Sequence, residues 1–411
     1  MAGKTGTHQT SGAYQSMLVA LLGVNMGIVF LDRGAFGLLA PMIQPEFDLS
    51  NTQVGMINGI LAATWALSSF GLTRAADVTG RSKLLLVAGT VVFSVASISS
   101  GFAVGLLTLM AARALMGIAE GGLPPLSTHI VTSEVAPERR GLAIGMLSTI
   151  GINLIPLLGP LVIVGIGTVY GWRAAFWVAG IPGLIMAAVI WLLVRNPAHE
   201  RTDDTPKGSV VPLLKTRNIR FTLVLATLNM TFYAALFGFL PLYLVNVQGL
   251  SNAMMGVVMT ALGVAAVFYG FVGPMLSDRF GRKAAIFGSY LIAALGLPFL
   301  AFSGGSLALV FAGAMLAVAG GAGSGILIMN VIPGESAPPH LRATAMGFTA
   351  AVGEMLGAGA MPVVIGGVAD RIGLGVLPWI LLGVAVLFCL VTLGLRETAP
   401  RIVASARPEL A

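Results

Sequence analysis

Charge is what this sequence has least of. Only 9% of its 411 residues are Asp, Glu, Lys or Arg, against about 25% in soluble domains. Hydrophobic residues make up 56% and the mean hydropathy is +0.93, which excludes a water-soluble enzyme. Cysteine is nearly absent: Cys389 stands alone, so there is no disulfide framework and no thiolate zinc site. Nor is there a nucleophile elbow, a P-loop or a metal-ligand cluster. No enzymatic activity and no cofactor are expected.

Instead the chain is a succession of apolar runs. A membrane-crossing helix needs about 20 apolar residues. Twelve such runs fall at about 16–40, 52–75, 84–104, 106–131, 141–169, 174–194, 219–246, 252–276, 284–303, 306–332, 343–368 and 374–395. The polar opening, MAGKTGTHQTSGAYQ, shows no cleavage-site pattern, so the first run reads as a retained span and not a removable signal. The fold class expected is therefore all-α integral membrane.

The few charges are not scattered at random. All but four of the 23 Lys and Arg lie in the N-terminal tail, in the loops after even-numbered spans, or in the C-terminal tail. The exceptions are Arg33, Arg113, Arg173 and Arg371. By the positive-inside rule both termini are expected in the cytoplasm, with the chain multi-pass in the inner (plasma) membrane. The net charge of +7 is thus a topology signal. A nucleic-acid partner would need a basic face on a soluble domain, so none is expected; the lipid bilayer is.

An internal repeat divides the chain. AADVTGRSK after span 2 carries Asp77, Gly80 and Arg81, and LSDRFGRKA after span 8 carries Asp278, Gly281 and Arg282, all at an offset of 201 residues. The same offset relates Glu134, Ala136 and Pro137 to Glu335, Ala337 and Pro338. Two separate loops sharing one offset imply duplication of a six-span unit. The expected division is a tail at 1–15, a first half at 16–195, a polar linker at 196–218, a second half at 219–396 and a tail at 397–411. In such repeats the substrate sits at the interface between halves.

Five ionisable residues lie within the spans: Asp32, Arg33, Arg113, Glu120 and Glu354. Each costs at least ~2.5–3.5 kcal/mol at a helix centre, so each is a candidate functional group. At 1.5 Å per residue Asp32 lies roughly 21 Å from Leu18, and Arg113 roughly 10 Å from Leu106 on a span running the other way. In a ~30 Å core those depths coincide, making Asp32 and Arg113 natural partners. Glu120 shares the Arg113 face about 10 Å deeper. Arg33, turned about 100° from Asp32, needs another partner. Either it pairs with Glu120 or Glu354 as structural glue, or it offers its guanidinium fork to a carboxylate ligand. The second reading is preferred, because a buried pair is weak evidence of stability. Asn25, one heptad before Asp32, shares its face. Asn153, Asn229 and Tyr233 are further candidate lining residues.

The paired Asp-x-x-Gly-Arg loops and the six-plus-six organisation resemble the major facilitator superfamily over nearly the whole chain. The first loop departs from the family pattern at Thr73 and Val78, the second at Pro274. The resemblance implies two pseudo-symmetric six-helix halves, with Asp77, Arg81, Asp278 and Arg282 as conformational gates. FLDRGAFG in span 1, RALMGIAEGGLPP in span 4 and FLPLYL ending span 7 are similar to the anion:cation symporter branch. That branch implies proton-coupled uptake of a small organic carboxylate by a monomer, with Na+ left open as coupling ion. On the matching positions Asp32 and Glu120 would carry protons, Arg113 would partner Asp32, and Arg33 would hold the substrate carboxylate. Trp65 stands where sugar-acid members often have tyrosine, and Glu354 has no counterpart among that branch's proton sites. The competing expectation is a proton-coupled drug or metabolite antiporter. It is disfavoured because Ile155 breaks the glycine series around Gly159-Pro160.

Overall fold

A computed structural model describes residues 11–196 and 211–402. Residues 1–10 of the expected tail at 1–15, residues 403–411 of that at 397–411, and residues 197–210 of the expected linker at 196–218 lie outside the described residues.

Twelve helices are long and apolar enough to cross a membrane. The first six are α1 (Gly12–Glu46), α2 (Asn51–Thr79), α3 (Ser82–Ser100), α4 (Leu106–Glu134), α5 (Pro137–Tyr170) and α6 (Trp172–Leu193). The second six are α7 (Arg217–Asn246), α8 (Asn252–Phe280), α9 (Arg282–Ala301), α10 (Leu307–Ser336), α11 (Pro339–Ile372) and α12 (Leu374–Leu393). Among the described residues there is no strand.

The duplication is visible in the helix ends. Ser50 caps α2 in a capping box with Gln53, and Ser251, 201 residues on, caps α8 through the Met254 N–H. Gly80 and Gly281 turn the chain into α3 and α9 with φ of 65° and 102°, a region other residues rarely adopt. Packing repeats in the same way. Within the first half α3 lies on α6 and α2 on α4; within the second, α9 lies on α12 and α8 on α10. Between halves the contacts are α1 with α7, α2 with α11 and α5 with α8, a set that maps onto itself when the halves are exchanged.

Four helices depart from α-geometry in mid-span, α10 among them with a π-helical turn over Leu327–Val331. α4 turns at Gly121-Gly122 before Pro124 and Pro125, which cannot donate back to the preceding turn. α5 is π-helical over Thr149–Leu154 and α11 over Gly353–Ala360. Such widened turns cluster at functional sites.

The halves meet most closely at the end of the bundle remote from the basic loops. There Gly59 of α2 faces the carbonyl of Gly359 on α11 so closely that no Cβ would fit. Asn246 donates to Gln44 at 3.2 Å across the same end. Toward the basic end Gly34 and Gly71 have open space beside them, and between the halves the Arg33 side chain keeps 22% of its surface accessible, which marks a cleft there.

Candidate functional site

Consecutive residues of α1 serve opposite surroundings. Asp32 is fully buried in the first half, whereas the Arg33 side chain is 22% accessible in the cleft. Their separation of about 100° around the helix produces this split. Arg33 forms an ion pair with Glu354, carried on the π-helical stretch of α11. Its guanidinium also lies 5.0 Å from the centre of the Trp65 ring on α2, a favourable cation–π placement. Tyr233 of α7 is within electrostatic reach of Arg33, packs beside Phe237 and above Gly321, and keeps 38% of its surface accessible. Arg33, Trp65, Tyr233 and Glu354 thus come together between the halves, drawn from α1, α2, α7 and α11.

Behind Arg33 lies a second, closed group. Asp32, Arg113 and Glu120 are each 0–1% exposed. The expected direct contact between the Asp32 carboxylate and the Arg113 guanidinium is not what forms. Asp32 accepts a hydrogen bond from Ser97 of α3 at 2.8 Å, while Arg113 Nη1 donates to the Asp32 backbone carbonyl at 3.4 Å. The rings of Phe36 and Phe176, 5.5 and 5.1 Å from the Arg113 guanidinium carbon, hold it in that position. Asp32 Oδ2, Arg113 Nε and Nη2, and both Glu120 carboxylate oxygens have no hydrogen-bond partner. Unpartnered buried charge is costly.

Other candidates sit elsewhere. Asn25 is fully buried and bonded to Thr90 of α3 at 3.2 Å, which makes it a tie within the first half and not a lining residue. Asn229 is likewise buried, accepting from Tyr290 and Ser324 at 3.1 Å each, and joins α7 to α9 and α10. Both shortfalls have one cause: a small amide in an apolar span is as well satisfied by a neighbouring helix as by a ligand. Asn153 is half-buried on the π-helical stretch of α5.

The two repeated loops differ. Arg282 pairs with Asp278 and, at 2.9 Å, with Glu335. Glu397, just after α12, accepts backbone N–H groups of Arg282 and Lys283 at 2.8 and 3.1 Å, and those of Thr398 and Ala399. Partial burial opposes ionisation there, yet these four N–H donors hold the Glu397 carboxyl below the usual carboxylate range. Asp77 and Arg81 are exposed and make no ion pair with each other.

Sequence reasoning missed Ser97, whose hydroxyl looks like any small polar residue in a span, and Asp370. The latter binds the start of α2 from the end of α11. Its neighbour Arg371 disguises it as half of an interfacial charge pair. Among the described residues no group of three His, Cys, Asp or Glu could hold a metal ion.

Comparison with known proteins agrees with this architecture. A hexuronate transporter of Bacillus subtilis is 30% identical over 279 residues, covering 63% of this chain and 64% of that protein. A probable 4-methylmuconolactone transporter of Cupriavidus pinatubonensis is 25% identical over 361 residues, covering 83% and 81%. The crystal structure of a bacterial homolog of the human lysosomal transporter Spinster superposes with a TM-score of 0.79 at 21% identity, over 97% of this chain and 98% of that one. The family description "Major Facilitator Superfamily" matches residues 22–362. With twelve helices in two like halves and a charged site between them, this chain belongs to the Major Facilitator Superfamily.

Proposed function

We propose that the chain is a secondary active transporter that takes up a small organic carboxylate anion together with protons, by alternating access. One observation carries the reading. A guanidinium lies in the cleft between the halves, and two fully buried acids, Asp32 and Glu120, sit behind it with unpartnered oxygens. A fixed cation in a cleft selects an anion, and its planar fork matches a carboxylate. Buried acids beside it can take up and release protons as their surroundings alternate between open and closed. The similarity to a hexuronate transporter supports an organic acid as the substrate class.

The positive-inside rule supports a cytoplasmic position for the basic end. The conformation described above is then inward-facing: closed at the far end, open toward the cytoplasm. The sites at the repeat interface are those that rocking of the halves would expose alternately.

The test is uptake into proteoliposomes of labelled glucuronate and benzoate, with an acid-outside pH gradient and then with the gradient collapsed by a protonophore. Accumulation that needs the acid-outside gradient is expected. Accumulation driven by the opposite gradient would replace symport with antiport. Dependence on Na+ alone would replace the coupling ion.

A further inference from the structure

Glu354 is the one intramembrane charge that the proposed proton pathway leaves unused, and it occupies the most exposed cation of the site. We propose that Glu354 is a tethered counter-ion: it fills the anion site of Arg33 in the empty protein, and an incoming carboxylate binds by displacing it. The inference rests on the reading of Arg33 as the carboxylate ligand.

Three observations support it. The first is chemical identity. Glu354 presents to Arg33 the same group that the substrate would bring, so the two compete for one guanidinium fork. The second is position. Of the ion pairs between described residues, Arg33 with Glu354 is the one that joins the halves; Glu46 with Arg173 lies in the first half, and Asp278 and Glu335 with Arg282 lie in the second. The third is the mounting of the acid. Glu354 is the second residue of the π-helical GEMLGAGA stretch, whose Gly353 and Gly357 pack against the α7 backbone at Ala226 and Thr227. The backbone is thereby pinned, and exchange requires motion of the side chain alone. Trp65 meanwhile offers its ring face to the guanidinium at 5.0 Å, a contact that does not depend on Glu354.

The arrangement gives the empty cleft a defined resting state. Without Glu354, Arg33 would be an unpaired cation in a half-buried position, which is costly. With it, the pair joins α1 to α11 until a free carboxylate takes its place. Ligand binding then removes the one ionic link across the interface, and the halves are released to rock. Binding energy is thereby converted into a change in the coupling between halves, because the ligand interacts differently with the linked and unlinked states.

The test uses the full chain, purified in detergent, with phenylglyoxal as an arginine-directed reagent and peptide mass spectrometry to read modification of Arg33. Benzoate is the probe carboxylate. Wild type is compared with Glu354→Gln and with Glu354→Ala, a smaller replacement that cannot clash. Both variants should label Arg33 faster than wild type, and the benzoate concentration that half-protects Arg33 should fall by about tenfold, since a charge-assisted competitor has been removed. Equal half-protection in wild type and variants overturns the competition while leaving Arg33 as the anion site. Weaker protection in the variants overturns it too, because Glu354 would then be helping to hold the ligand. If benzoate protects Arg33 in none of the three, the carboxylate reading of Arg33 itself fails.

Discussion

Asp370 and Asn51, 319 residues apart in the chain, meet at the far end of the bundle: the Asp370 carboxylate accepts the Asn51 backbone N–H at 2.7 Å and its side-chain amide at 2.9 Å. The second oxygen accepts the Thr52 N–H at 2.9 Å and its hydroxyl at 2.5 Å. The first turn of a helix leaves such N–H groups unmatched, and its dipole favours a negative charge. An acid on α11 therefore caps α2 across the interface, while Ser50 serves the next donor, Gln53. The closed far end is held by side-chain chemistry as well as by the packing of Gly59 on Gly359.

Asp370→Ala should shift the protein toward a far-end-open state. The residue is exposed, so the expected effect is modest, about 1 kcal/mol or roughly fivefold in population. A single cysteine at Ala63, in a Cys389→Ser background, should react faster with an impermeant maleimide added on the far side. An unchanged rate would assign closure to helix packing alone.

Glu120→Gln removes a buried charge whose oxygens have no partner, so stability should hold or rise. Uphill accumulation under a pH gradient should be lost, while counterflow without a gradient persists. Wild-type accumulation would take Glu120 out of the coupling. Asp32→Asn should also uncouple, with a greater loss of thermal stability, because the buried Arg113 loses its nearest acid. Breaking a buried charge pair costs about 3–5 kcal/mol at most. The double variant should lose more stability than the sum of the two, since Arg113 then faces no acid at all.

Arg33→Lys keeps the charge and gives up both the planar fork and the stacking on Trp65. Benzoate should stabilise the variant against heat far less than it stabilises wild type, with little change in the unliganded midpoint. An identical concentration dependence would show that Arg33 is not the carboxylate ligand.

Glu397→Gln should loosen the start of α9 by about 0.5–2 kcal/mol, the usual value of an N-terminal cap. The native carboxyl is held below its unfolded value, so its contribution is present above the ordinary glutamate range and disappears as pH falls through the native pKa. The gap in thermal midpoint between wild type and variant should accordingly be full at pH 7 and close on acidification. A gap that persists in strong acid would point to packing instead of charge.

A C-terminal reporter active only outside the cytoplasm should stay silent if the basic loops face inward. A bright signal would reverse the sidedness and turn the inward-facing assignment into an outward-facing one.

Much of the fold could be read directly from the chain. Twelve spans were legible because a helix that satisfies its own backbone in lipid needs only sufficient apolar length, which is a local property. The duplication was legible because Asp77 and Asp278, or Gly80 and Gly281, keep one offset. The five intramembrane charges stood out for their cost. Partner choice was not legible. Arg33 could have met Glu120 or Glu354; the close packing of α11 on α2, where Gly59 meets Gly359, delivered Glu354. Asp32 could have met Arg113 directly; Ser97 took the carboxylate and the Phe36 and Phe176 rings steered the guanidinium to the backbone. Asn25 and Asn229 shared a helix face with candidate residues yet found Thr90 and Tyr290 first. The repeat implied two alike loops, and the structure assembles an ion-pair cluster at one of them, around Arg282. Hydropathy and periodicity are properties of short stretches, and the sequence alone determined what they control: the number of helices and which of them carry the intramembrane charges. Which charge meets which depends on the rotation of helices some 300 residues apart, and only close packing in three dimensions decides that.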